Sequence, residues 1–133
     1  MMYLIDTNIA IYLRDVEATI TERVERLAVT PAISILSWVE LEAGVHRDPG
    51  NAVKRRANLD SLLQLLPMLD LSADTVTTYG RIVATCGFSR SKIIDRLIAA
   101  TALVGDLTLI TVNAADFRDI PGLRLEPWPA PVQ

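Results

Sequence analysis

The sequence is poor in the residues that most often carry chemistry on their own: one cysteine, one histidine and 5% aromatics in 133 residues. Cys86 has no partner for an internal disulfide, fits a reducing cytoplasmic compartment and reads as a buried, inert thiol. His46 excludes any mechanism needing two imidazoles, such as a histidine-rich zinc site, and reads as a solvated surface residue. So few aromatics argue against a base-stacking platform for single strands. No apolar run reaches the roughly 18 residues a spanning helix needs, despite a mean hydropathy of +0.30, so no membrane association is expected. Asp6 interrupts the N-terminus too early for a signal peptide. A basic surplus is missing too: the net charge is −3, which argues against a general nucleic-acid coat.

What is present is core-forming material. Half the residues are hydrophobic and 22% are charged, enough for one domain over residues 1–133 with a proline-rich tail at 127–133. Tyr3-Leu4-Ile5-Asp6-Thr7-Asn8 is a short apolar run ending in a carboxylate, a hydroxyl and an amide, so it reads as a buried strand with Asp6 at its carboxyl end. The competing reading makes Asp6 or Asn8 the cap of a helix beginning near Ile9. Thr19 to Leu27 is amphipathic, with Ile20, Val24 and Leu27 on one face. Ala32 to Ile35 is a second strand, followed by a helix in which Ser37 and Glu40 have capping-box spacing.

Asp48-Pro49-Gly50 marks a turn, and Leu59, Leu62, Leu63 and Leu66 repeat at helical spacing before Pro67. Met68 to Leu71 reads as a third strand. Ser72 or Asp74 caps a helix that ends near Gly87. Arg90 to Val104 is the clearest helix, Leu107 to Val112 a fourth strand, and Leu123 to Glu126 a short fifth. The tail around Trp128 is expected outside the core, since its prolines cannot extend a helix or a central strand. Strands separated by helices imply an α/β fold: a three-layer α/β/α arrangement around a central, mainly parallel sheet of four to five strands.

Asp95 shares a helix face with Ile98, Ala99 and Ala102, which places a carboxylate on the side that packs. Such a group needs a partner, either a cation among Arg90, Lys92 and Arg96 or a metal. Glu40, early in the helix after the second strand, and Asp116, in the loop after the fourth, fall at the same sheet edge as Asp6. Glu42 reads as exposed. Four carboxylates brought to one cleft repel unless a cation compensates, and oxygen ligands without histidine or thiolate select Mg²⁺, with Mn²⁺ as a substitute. Thr7, Asn8, Thr111 and Asn113 are placed to hold those carboxylates. The natural reaction is phosphodiester hydrolysis.

Leu4 to Asn8, Val39 to Gly44, Asp95 to Ala100 and Thr111 to Phe117, in this order and at these separations, resemble the PIN-domain ribonucleases and, within them, the VapC-type toxins of bacterial toxin–antitoxin pairs. The resemblance covers nearly the whole chain. It implies strand order 3-2-1-4-5, a catalytic and metal-binding set of Asp6, Glu40, Asp95 and Asp116, and Mg²⁺-dependent endoribonuclease activity on tRNA or rRNA. It also implies a homodimer and a small VapB-type antitoxin. Asn113 stands where many PIN domains have an aspartate, which leaves the last acidic role to Asp116. Arg14, Arg47, Arg90, Lys92 and Arg96 are candidates for contacts to RNA phosphates. A receiver-like module, or an inactive PIN-like binding module, is the alternative.

Overall fold

The computed structural model describes residues 2–132. Its centre is a five-stranded sheet of order β3-β2-β1-β4-β5, built from β1 (Tyr3–Ile5), β2 (Ala32–Ser34), β3 (Met68–Leu69), β4 (Thr108–Thr111) and β5 (Leu125–Pro127). Every neighbouring pair is parallel, with Leu4 and Ile5 of β1 opposite Ala32 and Ile33 on one side and Leu109 and Ile110 on the other. Parallel strands need crossovers, supplied by α1 (Thr7–Arg14), α2 (Ala18–Glu25), α3 (Ile35–Arg47), α4 (Ala52–Leu65), α5 (Ala73–Cys86) and α6 (Ile93–Val104).

Period-two alternation divides the core. Ile5, Ile33 and Ile110 point to one face and pack with Ile9, Ile20, Leu41 and Leu59 of the first four helices. Leu4, Ala32 and Leu109 point to the other and meet Ile82, Ile98, Ala99 and Phe117. Both faces are thus covered, which explains why the strands read as continuous apolar runs. The receiver-like alternative fails here, since modules of that kind use the order 2-1-3-4-5.

Several elements depart from the pattern-based expectation. Ser37 is not the cap of α3: Ser34 is, accepting from the Leu36 amide at 3.0 Å, so the helix begins three residues earlier and Ser37 turns into the interior. The chain over Arg90–Lys92 is a 3-10 turn, and α6 starts at Ile93. The third strand stops at Leu69, and the fifth lies two residues later than expected. Cys86 is half-exposed rather than buried, and its thiol donates to the Asp119 carbonyl at 3.3 Å. Glu42 is half-buried, held by Arg56 and by the Trp38 indole at 3.1 Å. His46 is exposed.

The largest correction is the tail. Trp128 is only 6% exposed and belongs to the core cluster around Ile20 and Ile110. Its backbone N–H donates to the Thr111 carbonyl at 2.8 Å, its indole N–H to Glu126 at 2.8 Å, and Arg23 lies 5.5 Å over its ring. Proline is tolerated on an edge strand, and the tryptophan between two prolines keeps its own donor to join the edge.

Candidate active site

The site is assembled at the carboxyl ends of β1, β2 and β4, where an open parallel sheet leaves its cleft. Asp6 follows Ile5 directly. Its backbone N–H donates to the Ile110 carbonyl at 3.1 Å, which fastens it to the end of β4. One side-chain oxygen accepts from the Ile9 amide at 2.9 Å and caps α1; the other accepts from the Thr111 hydroxyl at 2.5 Å. Both readings of the first motif are therefore realised in one residue: Asp6, rather than Asn8, is the helix cap, and it is also the carboxylate of the cleft. Only 3% of its surface is exposed.

Burial raises the Asp6 carboxyl above its ordinary range, against the lowering effect of the Thr111 hydroxyl and the Ile9 and Asn8 amides; Asp116 adds repulsion. Asp95 lies in the first turn of α6, half-buried. Its carboxyl is pushed up to about 6, first by burial and then by the charges of Asp6, Asp116 and Glu40, with only Lys92 opposing. Asp6, Glu40 and Asp116, drawn from separate segments, thus lie near enough to Asp95 for their charges to act on it. Among the described residues Asp95 has no ion pair, because neighbouring Arg96 turns to Asp119 at 3.6 Å.

Hydroxyls hold two of the four. Thr7, first residue of α1, donates to a Glu40 carboxylate oxygen at 2.8 Å and lies 2.9 Å from the Ser37 hydroxyl. Thr111 donates to Asp6 and accepts from the Asn113 amide at 2.9 Å. Asn8 and Asn113 have exposed side chains and contribute backbone N–H groups only. Glu40 and Asp116 are exposed at the cleft. Ser37 was missed as a site residue; the signal was its spacing of three from Glu40, which sets both on one face of α3.

As arranged, no three carboxylate, thiol or imidazole groups among the described residues are gathered tightly enough to enclose an ion. The donor set nevertheless fits a hard cation in kind and charge: oxygen ligands only, mutually repelling, without a guanidinium or ammonium in an ion pair with Asp95. Two of the five basic candidates are removed from the rim. Arg14 is 4% exposed and paired with Asp15 at 3.0 Å, beside Gly44, where a Cβ would meet its guanidinium at 2.9 Å. Arg96 is 3% exposed and donates to the Gly87 carbonyl at 2.5 Å, so its charge is spent inside the fold. Arg47 and Arg90 are exposed and Lys92 half-buried.

The PIN domain family model matches residues 3–123, a span that contains all four carboxylates. The chain belongs to the PIN-domain family. This PIN domain is 34% identical to Ribonuclease VapC2 of Rickettsia felis over 96% of its own length and 98% of the relative's. It is 26% identical to the tRNA(fMet)-specific endonuclease VapC of Shigella flexneri, again over 96% and 98% of the two chains. In structure it is similar to a chain of the VapBC2 complex from Rickettsia felis bound to a promoter DNA fragment, with a TM-score of 0.83 at 31% identity, covering 96% of this chain and 99% of that one. A chain of DNA-bound VapBC from Salmonella typhimurium gives a TM-score of 0.83 at 25% identity, covering 96% and 98%.

Proposed function

We propose that this PIN domain is a metal-dependent endoribonuclease and the toxin of a type II toxin–antitoxin pair, acting on tRNA in the cytoplasm as a homodimer restrained by a small VapB-type antitoxin. One observation carries the reading: the charges of Asp6, Glu40 and Asp116, from separate segments, all act on the half-buried Asp95, which has no ion pair among the described residues. The names of the Rickettsia and Shigella relatives support RNA as the substrate and, in the second case, tRNA. The VapBC complexes among the structural neighbours support the antitoxin. Among the described residues no helix is long and apolar enough to cross a membrane.

Asp6, Glu40, Asp95 and Asp116 would hold Mg²⁺, with Mn²⁺ as a substitute. The bound cation supplies a Lewis acid for a phosphoryl oxygen and lowers the pKa of water. Asp6 is the rigid member, fixed through the Ile9 amide and the Thr111 hydroxyl, so no side-chain freedom is lost there when the site fills. Thr7 occupies one oxygen of Glu40 and leaves the other free. Asp95 is held in the protonated form more readily than an ordinary carboxyl by burial and by the charges of Asp6, Asp116 and Glu40, and a cation held among these groups would favour its ionised form. Exposed Arg47 and Arg90 and half-buried Lys92 place positive charge where the phosphate backbone passes, and so orient the RNA without reading its sequence. Hydrolysis then consists of water adding to phosphorus as the bond to the departing ribose oxygen breaks.

The test is incubation of purified protein with bulk tRNA in Mg²⁺ and then in excess EDTA, with Asp6→Asn alongside. Cleavage that needs both the cation and Asp6 is expected. Cleavage surviving EDTA would overturn the metal role, and no cleavage of tRNA or rRNA would leave an inactive PIN-like binding module as the reading.

A further inference from the structure

Ser37 is completely buried, and among the described residues its hydroxyl has a single hydrogen-bond partner, the Thr7 hydroxyl at 2.9 Å. The direction of that bond follows from counting protons. A threonine hydroxyl has one hydrogen and two lone pairs, and the Thr7 hydrogen is committed to the Glu40 carboxylate at 2.8 Å, because an ionised carboxylate only accepts. The Ser37 hydrogen must therefore point at Thr7 Oγ1. The result is a one-way chain, Ser37 O–H to Thr7 O–H to Glu40 Oε1, with its first two members shielded from water.

We propose that Ser37 is a positioning residue for the active site, which orients the Glu40 carboxylate toward a divalent cation through Thr7. This rests on the metal-dependent reading above. The geometry has a reason in the fold. Ser37 and Glu40 are three residues apart on α3, so both overhang the first residue of α1, and Thr7 is locked in place because Asp6, just before it, caps that helix. Glu40 is exposed, and an exposed glutamate has free rotation about several bonds. A bond from a buried, already-satisfied hydroxyl removes much of that freedom before any ion arrives. Polarisation along a chain of hydroxyls also strengthens the last bond. Without Ser37, Thr7 Oγ1 loses its donor and its rotor is no longer forced toward Glu40.

Ser37 acts through Thr7 alone, so its effect must vanish when Thr7 cannot relay it. The experiment is a double-mutant cycle of Ser37→Ala and Thr7→Val, read by titrating Mn²⁺ alone onto the full chain by electron paramagnetic resonance. In parallel, crystal structures of the metal-free wild type and Ser37→Ala are compared at Glu40. Groups that orient ligands typically change metal affinity by about 10–100-fold, and Ser37 is one bond further out, so Ser37→Ala is expected to weaken Mn²⁺ by about 3–10-fold. In the Thr7→Val background the same change should alter affinity by less than about twofold. Ser37→Cys fills the space with a weaker donor and should fall between serine and alanine; it also stands in if the alanine variant fails to fold. In the metal-free crystals, the Glu40 carboxylate should spread over more than one conformer only in the variant.

Equal losses in both backgrounds would show that Ser37 acts through packing and would overturn the proposal, as would an unchanged Mn²⁺ affinity in Ser37→Ala. If the wild type binds no Mn²⁺, the metal-dependent reading fails on its own. The Glu40 conformers then decide the relay: a single unchanged conformer in the variant refutes it.

Discussion

Replacing Asp95 by asparagine should destroy activity while making the metal-free protein more stable. The Asp95 carboxyl stands at about 6 in the folded chain against an ordinary 3.8, for reasons of burial and of repulsion by Asp6, Asp116 and Glu40. A raised carboxyl binds more protons when folded than when unfolded, so stability falls as pH rises through about 6 and is fully recovered below the ordinary value. A shift of this size corresponds to about 3 kcal/mol as an upper bound. Asp95 is only half-buried and part of the repulsion is screened by water, which brings the expected effect to about 1 kcal/mol. At pH 8 in EDTA, Asp95→Asn should therefore melt about 3–5 °C above the wild type, and the difference should disappear at pH 4. Mg²⁺ should raise the melting temperature of the wild type and leave the variant nearly unmoved. Thermal denaturation followed by circular dichroism at the two pH values decides it. A variant less stable than the wild type at pH 8, or a difference indifferent to pH, would show that the carboxylates are not in conflict.

Asp6→Asn should lower cleavage by more than about 100-fold with the fold intact, since the amide oxygen still caps α1; Asp6→Ala should in addition cost about 1 kcal/mol in urea denaturation through the lost cap. Trp128→Ala should destabilise by about 3–5 kcal/mol in the same assay, because it empties part of the core beneath β4 and β5; a change below about 0.5 kcal/mol would restore the view of a detached tail. Arg90→Ala and Lys92→Ala should each raise KM for tRNA without altering the cleavage position, and each should reduce the salt dependence of binding by about one counterion. Loss of cleavage-site choice in either variant would mean that these side chains read bases.

The fold was legible because the strands are buried on both faces and short. Apolar runs such as Leu4-Ile5 and Leu109-Ile110 cannot be anything that stays in water, and the helical patterns between them require parallel pairing. The placement of Asp6 and Asp116 beside strand ends, and of Asp95 half-buried in the first turn of α6, was legible for the same reason. Less could be read where a residue's role depends on which neighbour reaches it first. Ser37 and Glu40 have the spacing of a capping box, but Ser34 lies one turn nearer the strand and takes the cap, which frees Ser37 for Thr7. Arg14 and Arg96 have the composition of a phosphate-binding rim, yet the space beside Gly44 and the Gly87 carbonyl draw their guanidinium groups inward.

Trp128 makes the same point from the opposite direction. Its flanking prolines exclude it from a helix and from a central strand, and composition then places it in solvent. An edge strand, however, asks for hydrogen bonds on one side only, and burying the tryptophan offsets an ordering cost that the already restricted prolines keep small. Since Trp128 donates to the Thr111 carbonyl, the tail that seemed remote also steadies the residue whose hydroxyl holds Asp6. That bond is made by the backbone, so it reaches the site only while the buried indole keeps the tail on the edge of the sheet.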